Sequence, residues 1–399
     1  MNNLLSNRVN ALAESATMAM AQKARDFKAK GINVISLSLG EPDFKTPDHI
    51  RDAAKKAIDE GAWFAYPPVP GYPDLRKGIA DKLNRENNIN CTENNILVSA
   101  GAKHSISNVF LATLNPGDEV IIFSPYWVSY ADMVILAEGT PVFIHAGIEK
   151  DFKATAAQLE KAITKKTKAI IYSSPCNPSG AVFSKEELKA IADVILAHEN
   201  ILVIADEIYE YINFSGEHVS MAAFPGMFDR TVTVNGFSKG HAMTGWRVGY
   251  ICAPEWLVKA INKLQGQTTS GINTIAQRAA VAAIHGDQSA TREMAAAYKR
   301  RRKLVLEMIA EIPGVKCNTP GGAFYVFPDI SSFFGKSDGE MTIKDSDDMA
   351  LYILSAAAVS TVGGTSFGEP KCIRISYAAS DEDLKKALTE IKAALAKLK

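Results

Sequence analysis

Apolar positions in the middle of the chain fall in short unbroken runs rather than in strict alternation. Ile96–Ser99, Glu119–Phe123, Lys168–Tyr172, Ile201–Ala205, Thr231–Asn235 and Val248–Cys252 are such runs, and each predicts a short strand buried on both faces. Helical patterns lie between several of them. SKEELKAIADVILAHEN opens on Ser184 with Glu187 three residues later, the spacing of a capping box. Strands alternating with helices in this way imply a mostly parallel sheet sandwiched by helices.

The two ends read differently. Residues 1–30 show amphipathic spacing through Leu5, Val9 and Leu12, ended by Gly31. The C-terminal third carries a charged helix pattern, MAAAYKRRRKLVLEMIAEI, then a strand pair around Gly322–Phe327 and Cys372–Tyr377. A last helix opens at Ser380 and places Leu384, Leu388, Ile391, Leu395 and Leu398 on one face. These patterns predict an α/β fold with a large domain over residues 46–290. A smaller α+β domain is expected from both termini, residues 1–45 and 291–399. No internal repeat or low-complexity tract is present.

Composition narrows the class of protein. With 399 residues, 47% hydrophobic and 22% charged, the chain has the profile of an ordinary globular protein and not of a disordered one. Lys and Arg number 44, as do Asp and Glu, so no general excess of positive charge is available for nucleic acid. A local basic pocket for a small anion remains compatible with this balance. Cys91, Cys176, Cys252, Cys317 and Cys372 are isolated and odd in number, which argues against a disulfide framework or a zinc site. No stretch approaches the length of a membrane span, and the N-terminus lacks a secretory pattern, so a cytoplasmic location is expected.

Four segments carry candidate chemistry. In TVTVNGFSKGHAMTGWRVGY a β-branched run ends in a small polar turn holding Ser238 and Lys239, with Arg247 further on. A lysine at the end of a buried strand is costly unless used, and a desolvated amine suits condensation with an aldehyde. Arg247 offers fixed charge to a phosphate. A surface-loop lysine and a structural arginine are the bland alternative. In ILVIADEIYEY a buried strand runs into Asp206, with Tyr209 three residues on. A carboxylate there can keep a heteroaromatic nitrogen protonated, or Asp206 can simply cap a helix. In IIYSSPCNPSG two prolines flank Asn177, whose amide can reach a phenolate-like oxygen; an ordinary turn reads the same way. In ILVSAGAKHSISNVF a strand, a small-residue turn and a helix succeed one another, with Ile106, Val109 and Phe110 facing inward. Gly101, Ala102 and Lys103 open that helix, where free N–H groups can cradle a phosphate. Together these groups make up the set that pyridoxal phosphate requires.

The motifs SLGEPDFKTP, YPPVPGYPDLR, SAGAKHS, SPYWVSY, SSPCNPSGAV, ADEIYE, NGFSKGHAMTGWRVGY, GGAFYVFPD and IRISYA run in order through the chain. In these the chain resembles the bacterial aspartate aminotransferase branch of the class I, fold type I, pyridoxal-phosphate-dependent aminotransferases. The resemblance implies transfer of the amino group of L-aspartate to 2-oxoglutarate by a ping-pong route, with Lys239 as Schiff-base lysine and proton shuttle. It implies that Asp206 pairs the ring nitrogen, that Asn177 and Tyr209 bond the phenolic oxygen, and that Trp127 stacks on the ring. Arg247, Ser238 and the Gly101, Ala102 and Lys103 amides are implied for the phosphate, joined by Tyr66 of a second subunit in a homodimer with shared sites. Arg374 is implied for the substrate α-carboxylate with Gly40 and Asn177, and Lys103 for the distal carboxylate. The chain has His104 and Ala102 where that branch commonly has glutamine and glycine, and Ala13-Glu14 where Lys-Pro is frequent. Aromatic, alanine or prephenate aminotransferases and carbon–sulfur β-lyases share the scaffold. A non-catalytic cofactor-binding regulator is a remoter alternative, since no basic helix-turn-helix pattern precedes residue 46.

Overall fold

The computed structural model describes residues 4–399. Its strands are β1 (Ile35–Ser36), β2 (Ile96–Ser99), β3 (Glu119–Ser124), β4 (Thr140–His145), β5 (Thr167–Ser173) and β6 (Leu202–Asp206). They continue as β7 (Thr231–Gly236), β8 (Gly249–Cys252), β9 (Tyr325–Val326), β10 (Val359–Ser360), β11 (Val362–Gly363) and β12 (Ile373–Ser376). Seven strands form one sheet in the order β2-β8-β7-β6-β5-β3-β4. Only β8 runs antiparallel to its neighbours, so the C-terminal ends of the other six share one edge.

All six expected strands are present, and their residues alternate between two apolar layers. Leu97, Val120, Ile122, Ile171, Ile204, Val234 and Ile251 pack on one face with the helices Ala102–Thr113 and Glu255–Thr268. On the other face, Ile121, Phe123, Ile170, Tyr172, Val203 and Ala205 meet the helix Lys185–Ala197. Ile96, Val98 and Tyr250 meet the helices Asp48–Glu60, Pro73–Asn87 and Thr274–His285. Burial on both faces is why these strands read as continuous apolar runs. The edge strand β4, TPVFIH, was not anticipated: its half-exposed positions and Pro141 carry no such run.

Ser184 caps its helix as expected, its side chain accepting from the Glu187 N–H. The last helix, Asp381–Leu395, is capped by Ser380 and buries Leu384, Leu388, Ile391 and Leu395. It packs with the helix Ser289–Ala310 and with β9 and β12, which pair antiparallel. The N-terminal β1 pairs parallel with β10, tying residues near both ends together. The N-terminal expectation needs one correction. A helix spans Ala16–Ala29 and Gly31 follows at φ 84°, but its inward residues are Met20, Ala21 and Ala24. Leu5 and Val9 are half exposed, at 56% and 51%, and Val9 lies in a separate one-turn helix, Asn7–Asn10. That piece is too short to hold a buried face by its own propensity.

Candidate active site

The C-terminal edge of the large sheet borders a cavity of about 380 Å³. Gly40, Ala102, Lys103, Trp127, Asn177, Asp206, Tyr209, Ser238, Lys239, Arg247 and Arg374 all line it, from segments far apart in the chain. Gly101 lies directly behind it, as the residue preceding the helix Ala102–Thr113. Tyr66 does not line the cavity: it is 96% exposed on this chain.

Lys239 follows β7 on a tight turn and is half-buried, with Nζ donating to the Gly40 carbonyl at 2.5 Å. Burial pulls its amine down to about 8, and the positive charge of Arg374 adds to this while Glu41 opposes it. Asp206 ends β6 and is 4% exposed. Burial pushes its carboxyl up to about 6, against two hydrogen bonds that favour the anion. One comes from the Tyr130 hydroxyl to Oδ2 at 2.6 Å, the other from the Ile208 N–H to Oδ1 at 3.3 Å. A buried carboxylate of this kind gains most from a cationic partner placed in the cavity.

Tyr209 shares a hydrogen bond of 2.7 Å with Tyr325, hydroxyl to hydroxyl. Arg374 is buried in β12, donating Nη1 to Asn177 Oδ1 at 2.8 Å and Nη2 to the Ser38 carbonyl at 2.6 Å. Its planar head lies 4.7 Å from the Tyr325 ring centre and 4.8 Å from that of Phe367. The tertiary contacts thus aim the guanidinium at the cavity instead of at solvent. Trp127 stands beside Tyr130 edge to face, and Lys103 Nζ lies 4.9 Å over the Trp127 ring.

The start of the helix Ala102–Thr113 has no side-chain cap, so its first N–H groups face the cavity rim bare. Two glycines permit the close approach there. Gly101 adopts φ 87°, and a Cβ on it would overlap the Arg247 guanidinium. A Cβ on Gly249 would overlap the Ala102 amide nitrogen. Arg247 is held by the carbonyls of Thr244 at 2.8 Å and Ala100 at 3.2 Å. His104 turns back, its Nδ1 accepting from the Ala100 N–H at 3.1 Å, which leaves the cradle's own donors free.

Sequence reasoning missed Tyr130, Tyr325, Glu41 and Ser173, and the N-terminal Ser15, Thr17 and Met18, all of which line the cavity. Tyr130 sits three residues past Trp127 in SPYWVSY, a helical spacing that could have brought it into the reading. The N-terminal residues carried no sequence signal for a site.

These residues fit pyridoxal phosphate: a bare helix end and an arginine for the phosphate, a buried carboxylate for a ring cation, and an indole and an amine beside them. A helix-covered parallel sheet with this set along one edge defines a fold type I pyridoxal-phosphate-dependent enzyme. The chain belongs to the aminotransferase class I and II family, whose model matches residues 32–391. It is 45% identical to an aspartate/prephenate aminotransferase of Cereibacter sphaeroides, with 98% of each chain covered. It is 46% identical to a bifunctional aspartate aminotransferase and glutamate/aspartate-prephenate aminotransferase of Petunia hybrida, covering 99% of this chain and 83% of that protein. Among solved structures, an aspartate aminotransferase from Rhizobium meliloti superposes with a TM-score of 0.95 at 40% identity, with 99% of each chain covered. One from Thermus thermophilus with maleate gives a TM-score of 0.91 at 41% identity, covering 98% of this chain and 99% of that one.

Proposed function

We propose that this protein transfers the amino group of L-aspartate to 2-oxoglutarate, giving oxaloacetate and L-glutamate in two half-reactions. The observation that carries this reading is the meeting of Lys239, Asp206 and Arg374 in one cavity. When bound, pyridoxal phosphate supplies an aldehyde for primary amines and a ring that accepts electrons from the substrate's Cα. The chain's residues do the rest. Asp206 holds the ring nitrogen protonated, and Tyr130 holds Asp206. Asn177 and Tyr209 bond the ring oxygen, and Trp127 covers one ring face. Arg247, Ser238 and the amides of Gly101, Ala102 and Lys103 take the phosphate. Lys239 Nζ would take the Cα proton and give it to the cofactor carbon that comes to carry the amino group, a task suited to an amine near neutrality. Arg374 forks onto the α-carboxylate beside Asn177 and Gly40.

The exposure of Tyr66 supports a homodimer in which each Tyr66 completes the partner's phosphate site. A division into residues 46–290 and residues 1–45 with 291–399 would put Arg374 and Gly40 on the smaller part; three apolar clusters lie within the larger part, while Ile208, Tyr209 and Ile212 cross the seam to pack with the smaller one. Five free thiols suit a reducing, cytoplasmic setting. No helix among the described residues is long and apolar enough to cross a membrane. A second reading, that the site also accepts prephenate, is favoured by relatives at 43–45% identity that carry that substrate in their names. A panel of amino donors against 2-oxoglutarate tests both readings. Pyridoxamine phosphate never forming with L-aspartate alone would overturn the first.

Two expected results follow from the geometry. Lys103→Ala should lower kcat/KM for dicarboxylic substrates by about 10–100-fold, the worth of a charge-assisted contact, and spare aromatic ones. Equal loss on both would assign Lys103 no role in substrate choice. Gly101→Ala places a side chain at positive φ against Arg247, and should weaken pyridoxal phosphate retention by about tenfold or more. Affinity for pyridoxal, which lacks the phosphate, should change little when both are measured by fluorescence quenching.

A further inference from the structure

Behind the Asp206–Tyr209 turn, on the side away from the cavity, lies a buried charged network that the proposed chemistry does not touch. Glu207 and Glu210 alternate with the site residues on this turn and are almost fully buried. His218 donates Nε2–H to Glu207 Oε2 at 2.8 Å, and the Ser220 hydroxyl donates to the same oxygen at 2.6 Å. Asn87 bridges the two halves, its Nδ2 donating to Ser220 Oγ at 3.0 Å and to Glu210 Oε2 at 2.8 Å. Lys82, 2% exposed, pairs with Glu210 Oε1 and donates to Asn87 Oδ1 at 2.8 Å. The other Glu207 oxygen, Oε1, has no partner among the described residues.

Charge accounting explains the arrangement. Two carboxylates buried side by side next to Asp206 would favour protonating one another and Asp206. Lys82 answers Glu210. Among the described residues His218 alone is placed to answer Glu207, and it can do so only as an imidazolium. The charged groups facing His218 are Glu207 and Glu210 on the turn and Lys82 from the helix Pro73–Asn87. Burial pushes the imidazole down and Lys82 adds to that, but the two carboxylates outweigh both and leave it above its ordinary value. The phenols of Tyr172 and Tyr250 and the thiol of Cys252, from β5 and β8, border the carboxylates and stay neutral, held far above their usual ranges.

We propose that His218 is a positioning residue for transamination: as a cation it neutralises Glu207 and so keeps the adjoining Asp206 ionised for the cofactor's ring nitrogen. The effect is transmitted through a side chain that never meets cofactor or substrate. It rests on the function proposed above, and its test separates the two.

His218→Gln keeps a donor toward Glu207 and removes the charge. Below about pH 6, affinity of the cofactor-free protein for pyridoxamine phosphate should fall by about tenfold, because Asp206 is then protonated over a wider range. In single-turnover reaction with L-aspartate, the acid limb of the limiting rate constant should move up by about one pH unit while the half-saturating aspartate concentration stays, since Arg374 lies on another element. His218→Lys should restore both by keeping a cation. Glu207→Gln with His218→Gln should restore them by removing the charge that needs an answer. Unchanged affinity and acid limb in His218→Gln would overturn the proposal, as would a loss that neither restoring variant repairs. The same three side chains, Glu207, Glu210 and His218, could bring one ligand atom each within 4.8 Å of one another. Stabilisation of wild type but not of His218→Gln by added zinc would therefore make the network a cation site and overturn the positioning role of His218. If wild type transfers no amino group yet the affinity losses and repairs appear, the proposed function fails, and what stands is that His218 keeps Asp206 ionised through Glu207.

Discussion

Lys239→Ala is expected to abolish amino transfer, by at least about 10⁴-fold, because on the proposed function one amine both holds the aldehyde and carries the proton. The fold should survive: Lys239 faces a cavity and gives up a single hydrogen bond, to the Gly40 carbonyl. Borohydride reduction of the wild-type holoenzyme followed by peptide mapping should label Lys239, and the variant should take no label. Label at any other lysine would sink the assignment. The same amine sets a pH dependence. In the cofactor-free protein it is pulled down to about 8 by burial, so below that pH it is mostly protonated and unreactive. Capture of pyridoxal phosphate should therefore quicken about tenfold per pH unit up to about pH 8 and level off above it. An unperturbed lysine would keep accelerating well beyond that point. Stopped-flow absorbance of cofactor uptake at a series of pH values distinguishes the two.

Arg374→Ala carries the second large effect. It removes the planar cation proposed for the α-carboxylate and leaves Asn177 Oδ1 and the Ser38 carbonyl without their donor. We expect kcat/KM for L-aspartate and for 2-oxoglutarate to fall together, by roughly 10²–10³-fold, as for other truncations of buried charge pairs. Cofactor content should hold, since Lys239, Asp206 and Arg247 are untouched. Arg374→Lys should recover only a small part, because an ammonium cannot fork onto a carboxylate while also spanning Asn177 and Ser38. Loss for one substrate alone would mean that the two bind in different ways. Both belong to one site alternating between two half-reactions, so a shared loss is the expected signature.

What could be read in advance follows from where local physics dominates. The strands of the large sheet, apart from β4, are buried on both sides, and only continuous apolar runs satisfy that environment. Strand ends are marked by polar residues that would be costly there without use, which is how Asp206, Asn177 and Lys239 stood out. The exposed edge strand β4 and the N-terminal segment carry weaker patterns, and there the reading missed or misplaced the inward residues.

Sequence alone indicated the layered α/β class, the strand, turn and helix around Gly101–Lys103 and the lysine beyond β7, because each is signalled by a pattern within a few residues. Tertiary structure alone decided that Tyr130 steadies Asp206, that Arg374 meets Asn177 across 197 positions, and that His218 and Lys82 converge behind the turn. Such pairings arise where the sheet edge and the packed helices bring distant segments to one place. Their energies depend on burial and separation in space, and no local pattern along the chain records either.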